Sequence, residues 1–190
     1  MSFPQFRKIP GIRLGEGIDS VRLDLFFDLQ CPYSKKAWDV IGHSISNNWS
    51  TQLDIYFQPI CLSHHRQSWD LTRTLFAIQY FDEARVIDYI NAVYSDHGQF
   101  YNANWTLKGQ DVFLSFLSSF SKDMVGVSED ALLKKMAEDQ THTDSKRSIH
   151  YAAVKQVWST PTFFVNNVPL SDLTSSSTVN DWNKIISSLG

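Results

Sequence analysis

Residues 21–38, VRLDLFFDLQCPYSKKAW, set one of only two cysteines at the seam between a strand pattern and a helix pattern. Val21, Leu23, Leu25, Phe26 and Phe27 form an apolar, partly alternating run that reads as a buried strand. A polar bend follows at residues 28–30, then Cys-Pro-Tyr-Ser, then helical content over residues 35–46. Proline suits the first turn of a helix, where its missing N–H would be unpaired in any case. Cys31 is therefore expected at or just before a helix N-terminus. Unpaired backbone N–H groups and the positive end of the helix dipole favour a thiolate there. Such a seam suits redox chemistry.

The length, 190 residues, allows one domain with a substantial core, or a domain carrying an insertion. A hydrophobic share of 43% with 14% aromatics excludes a disordered chain. Lys and Arg number 17 against 20 Asp and Glu, a net charge of −3 with no basic block, so no nucleic-acid partner is expected. No apolar run reaches membrane-spanning length, so no membrane partner is expected either. The opening MSFPQFRKIPGIRLGEG lacks the apolar core of a signal peptide. The expected location is cytoplasmic, or an organelle lumen had a leader been removed. Two cysteines make no disulfide scaffold, and no paired Cys or His spacing suggests a metal site.

Along the chain, residues 1–20 read as a Pro- and Gly-punctuated lead-in whose apolar piece at 12–14 can add an edge strand. Residues 53–62, LDIYFQPICL, read as a second long strand. Strand, helix and strand with short connections imply a right-handed crossover and parallel strands. Cys61 then falls on the same sheet edge as Cys31. From residue 64 to 158 the period turns helical, with helices expected at 69–80 (capped by Ser68), 82–96, 109–124, 128–140 and 143–158. Strands return at 162–165 and 168–170 around an Asn166-Asn167 turn, and Trp182, Ile185, Ile186 and Leu189 mark a closing amphipathic helix at 178–189. His64 and His65 read as a solvated turn, and His43, His97, His142 and His150 receive no role.

Two separated motifs, FFDLQCPYS at 26–34 and STPTFFVNN at 159–167, resemble the DsbA-like thioredoxin-fold family. The resemblance implies an α/β thioredoxin-like fold with a helical insertion. The thioredoxin-like part is then residues 1–63 and 159–190, and the inserted helical domain residues 64–158. It also implies that Pro161 is cis and faces Cys31, leaving the Thr160 backbone to pair with an extended peptide or with glutathione. Pro32, Tyr33, Thr160 and Pro161 are the expected substrate-binding residues. The chain departs from the family where a second redox cysteine is usual, since Ser34 stands there. The acid common six positions before the cysteine is replaced by Leu25, with Asp24 and Asp28 nearby.

These residues define the chemistry to expect. A thiolate that attacks a disulfide becomes a mixed disulfide, which a serine hydroxyl cannot resolve. Cys31 as nucleophile therefore calls for an outside thiol, glutathione, as co-substrate, with Ser34 able to donate a hydrogen bond to the thiolate. No tightly bound cofactor is expected. Cys61 is either a buried structural thiol or, within the roughly 7 Å between Cα atoms that a disulfide allows, a resolving one. The reading is monothiol thiol–disulfide exchange on glutathione or a disulfide-containing peptide or protein. Its alternatives are a degenerate peptide-binding module and a kappa-type glutathione transferase or isomerase.

Overall fold

The computed structural model describes residues 9–15, 17 and 21–188. Among the described residues five strands form one sheet: β1 (Ile12–Arg13), β2 (Arg22–Phe27), β3 (Asp54–Pro59), β4 (Thr162–Val165) and β5 (Val168–Pro169), in the order β1-β3-β2-β4-β5. β2 and β3 are parallel, with Phe27 opposite Pro59. Both cysteines thus follow strand ends on one edge of the sheet. β1 pairs antiparallel to β3, and β4 antiparallel to β2. The β4–β5 hairpin turns on Asn166 and Asn167 at φ 47° and 70°, the left-handed region that asparagine tolerates.

Alternation along β2 divides the core. Leu23, Leu25 and Phe27 face α1 (Pro32–Asn47) and a C-terminal helix at Val179–Ser187. On that side Trp38 meets Phe27 and Phe57 edge-on, with ring centroids 6.0 and 5.7 Å apart. Trp182 stands edge-on to Phe163 at 4.8 Å. Asp24 and Phe26 face the other way, as strand geometry requires. There Phe26 joins Ile60, Ala152, Val157 and Phe164 in a second apolar cluster, and Tyr151 stacks on Phe26 at 5.8 Å. Asp24 is buried on this face and paired with Arg22 at 2.5 Å.

Between β3 and β4 lie α2 (Ser68–Phe81), α3 (Val86–Ser95), α4 (Asn102–Trp105), α5 (Gln110–Val125), α6 (Glu129–Ala137) and α7 (Asp139–Val154). The closing helix is α8. Its final expected apolar residue, Leu189, lies outside the described residues. The expected helices are present, but several boundaries move, the start of α7 from 143 to Asp139 among them. Residues 97–105, outside any expected helix, form a 3₁₀ turn and α4, set by Trp105 donating its indole N–H to the Gln99 carbonyl at 2.7 Å. α6 stops at Ala137 because Arg73 of α2 takes the Met136 carbonyl with two nitrogens, at 3.1 and 2.7 Å, and Glu138 is extended. That carbonyl would otherwise lack a partner at the helix end. α7 stops at Val154, four residues short of the expected end, because Gln156 turns left-handed.

Trp182 is 1% exposed and touches both Trp49 and Phe163. Trp182→Ala is expected to cost about 3–5 kcal/mol, the usual loss for an emptied aromatic core site, read as a lower urea midpoint at unchanged slope.

Candidate active site

Cys31 is the N-cap of α1, with extended φ/ψ of −80° and 123°, and Pro32 is the first helical residue. The first turn carries no acidic side chain, so none of its own carboxylates competes for the open N–H groups. The Cys31 N–H donates to the Asp28 carbonyl at 3.0 Å, and the Cys31 carbonyl accepts from Lys35 N–H at 3.0 Å. Its thiol donates across to the Thr160 carbonyl, 3.5 Å from Sγ. The Thr160-Pro161 peptide bond is cis. Tertiary structure thus brings residues 129 positions apart into direct contact. Cys31 is 3% exposed, whereas Tyr33, two residues on, is 63% exposed. Cys31 is thus nearly closed off from solvent, while a neighbour in its own helix turn is open to it.

Ser34 is buried, one turn into the helix. Its hydroxyl accepts the Asp28 N–H at 3.3 Å and also meets the buried Tyr94 side chain. The bond from Ser34 to the sulfur that the sequence suggested is not among the hydrogen bonds of the described residues. Tyr94 in turn donates to the Asp28 carbonyl at 3.2 Å. Burial, followed by the nearby Asp28 and Cys31, pushes this phenol well above its ordinary range.

Asp28, which the sequence reading left without a role, is the centre of the arrangement. Its side chain is fully buried. Oδ1 accepts the Gln30 N–H at 2.8 Å and the Ser68 hydroxyl; Oδ2 accepts the Leu62 N–H at 2.8 Å and His65 Nδ1 at 2.8 Å. Ser68 is therefore not the cap of α2; Gln67 occupies that position, and the serine is spent on the carboxylate. His65 is a second departure from expectation, since its side chain is 12% exposed and bonded inward instead of lying in a solvated turn. Beyond it, Gln30 bonds Gln67 through both ends of its amide and Asn102 at 2.7 Å, which pins the insert to the bend. A carboxylate between two apolar segments is the one sequence signal that pointed here, because a buried charge must collect donors.

Cys61 lies two residues past β3, with its sulfur 3.6 Å from Thr72 Oγ1 of α2. Burial pushes its thiol up to about 12. Both cysteines are free thiols. His97 is buried against Tyr94 and Tyr101, and burial, first among its influences, lowers its pKa. Among the described residues no three His, Cys, Asp or Glu side chains gather as a metal site would need, and no helix is long and apolar enough to cross a membrane. A cavity of about 620 Å³ lined by Gly11, Arg13, Tyr56 and Ile87 shares no residue with this site.

No family model matches the chain, and no curated protein does. Solved structures do match. BdbD from Bacillus subtilis, oxidised, is 14% identical with a TM-score of 0.74, over 95% of this chain and 96% of that one. The thiol-disulfide exchange protein alpha-DsbA2 from Wolbachia pipientis is 18% identical at 0.71, over 95% and 87%. DsbA from Chlamydia trachomatis is 12% identical at 0.69, over 99% and 93%. The chain therefore has a DsbA-like thioredoxin fold with a helical insertion.

Two outcomes follow from the buried groups. Asp28→Ala leaves four donors unmatched and is expected to cost about 3–5 kcal/mol in urea unfolding. Cys61, raised from 9.0 to about 12, should be alkylated in the native protein at pH 8 roughly a thousandfold more slowly than in the unfolded chain, read by peptide mass. The native state holds this proton while the unfolded chain releases it. Its contribution to stability is therefore full below pH 9 and is lost as pH rises toward 12.

Proposed function

We propose that the protein is a monothiol thiol–disulfide oxidoreductase in which Cys31 is the nucleophile and glutathione the second thiol. One observation supports this above the rest: Cys31 opens α1 with its sulfur against the Thr160 carbonyl, beside the Thr160-Pro161 bond. A DsbA-like fold carries it, and the structural relatives include a protein named for thiol-disulfide exchange.

In the first half-reaction the Cys31 thiolate attacks one sulfur of a glutathionylated substrate. The Cys31–sulfur bond forms, the old S–S bond breaks, and the other sulfur leaves as a thiolate that takes a proton. In the second, glutathione thiolate attacks the Cys31 mixed disulfide. The group that Cys31 carried leaves joined to glutathione, as oxidised glutathione where Cys31 took the glutathione sulfur, and Cys31 departs as a thiolate that takes a proton. Ser34 cannot shorten this route, because it forms no disulfide. Cys61 is held toward Thr72 in a form that resists ionisation, which argues against its resolving the adduct. Pro32, Tyr33, Thr160 and Pro161 form the rim that a substrate backbone meets. No resident cofactor is required, and the cytoplasm, where glutathione is abundant and reduced, suits the cycle.

A second reading draws on the 3% exposure of Cys31: a module that binds peptides at the same rim without turning over. Turnover of a glutathionylated peptide with added glutathione separates the two. Cys31→Ser is expected to lower turnover by about two orders of magnitude or more. Cys61→Ser should leave it near the parent value. Equal loss in both variants would return Cys61 to the mechanism, and no turnover in the parent protein would favour the binding module.

A further inference from the structure

Trp158 is 77% exposed, yet it does not sit on a loose segment. α7 ends in a paired-bond stop: the Val157 N–H donates to the Ala152 carbonyl at 2.9 Å and the Gln156 N–H to the Ala153 carbonyl at 3.0 Å. Gln156 takes φ 57° to make this turn, a position glycine usually fills. Val157 is then buried beside Ala152 in the second apolar cluster. On the other side Thr162 ties its hydroxyl to the Ser159 carbonyl at 2.7 Å, and Thr160 is buried against Cys31. The backbone is anchored on both flanks of an indole that faces solvent.

Its place is set by the contact between Cys31 Sγ and the Thr160 carbonyl. Trp158 lies two residues before Thr160, and Tyr33 two residues after Cys31. Chain reach therefore keeps each within about 7 Å, Cα to Cα, of one side of that contact. Two exposed aromatic residues thus stand on the two separate segments that meet at the sulfur. Neither segment, residues 31–34 or 158–162, carries a charge. Glutathione is a charged tripeptide with no apolar side chain, so these rings offer it little. An extended peptide with an apolar residue beside its cysteine could bury that side chain on them.

We infer that Trp158 is a specificity-determining residue, which with Tyr33 selects apolar peptide disulfides over oxidised glutathione as the first substrate of Cys31. The inference rests on the exchange reading and deepens it. The electrophile is a peptide disulfide; the Cys31–peptide S–S bond forms, and the departing peptide sulfur leaves as a thiolate and takes a proton. Glutathione then acts only as the second thiol.

The test compares adduct formation at Cys31, followed by mass, in the parent protein, Trp158→Ala and Trp158→Phe. The two electrophiles are oxidised glutathione and the symmetric disulfide of a neutral Phe-Cys-Leu peptide. Trp158→Ala should lower the ratio of peptide rate to glutathione rate about tenfold, and Trp158→Phe should restore most of it. An unchanged ratio overturns the inference. No adduct with either disulfide would sink the exchange reading. The surface is then read in Cys31→Ala protein titrated with the reduced peptide. An indole N–H resonance missing from the additional Trp158→Phe variant should shift with peptide and not with reduced glutathione. An indole signal that stays still overturns the inference as well.

Discussion

The carboxylate of Asp28 is the interaction on which the rest depends. It is buried where the first long strand becomes the first long helix, and four donors from three separate stretches converge on its two oxygens. Its backbone is equally occupied, since the carbonyl holds Cys31 and Tyr94 and the N–H reaches Ser34. A charge taken out of water is tolerated only when its oxygens are fully matched, and losing one partner strands the remainder. The bend, the loop after β3 and the start of α2 are thereby fixed to one another. Cys31 inherits its position from that fixture.

Around it the fold divides its labour. One face of the sheet carries the large aromatic core of Phe27, Trp38, Phe57, Phe163 and Trp182; the other carries a smaller cluster under α7. The insert does more than lengthen the chain. It supplies Gln67, Ser68, Tyr94 and Asn102 to the underside of the strand–helix junction, and α7 delivers the chain to the cis proline. Cys31 is left 3% exposed at that junction. The nucleophile is positioned by backbone hydrogen bonds rather than by a flexible lid.

Much of this was legible from residue order. The apolar run before Cys31, the proline after it and the amphipathic periods between residues 64 and 158 report local rules that operate within a few residues. The parallel pairing of β2 and β3 followed from chirality and short connections. His65 was misjudged because its partner lies 37 positions away, and nothing local distinguishes an inward histidine from a solvated one. Ser68 was misread for the same reason: a hydroxyl before an apolar helix looks like a cap until a distant carboxylate claims it. The early end of α6 depends on Arg73, whose reach to Met136 no window of neighbouring residues reveals.

The sequence by itself determined the alternation of strand and helix, the placement of a lone cysteine at a helix opening, and the loss of an intramolecular second thiol through Ser34. These are properties of adjacent residues and of covalent chemistry. Only the tertiary structure decided that Cys31 would touch Thr160, that Asp28 would be buried and collect its donors, and that Cys61 would turn to Thr72. Each of those outcomes depends on which distant groups share a dry, crowded interior. Burial decides how strongly a polar atom must find a partner, and sequence spacing carries no record of burial.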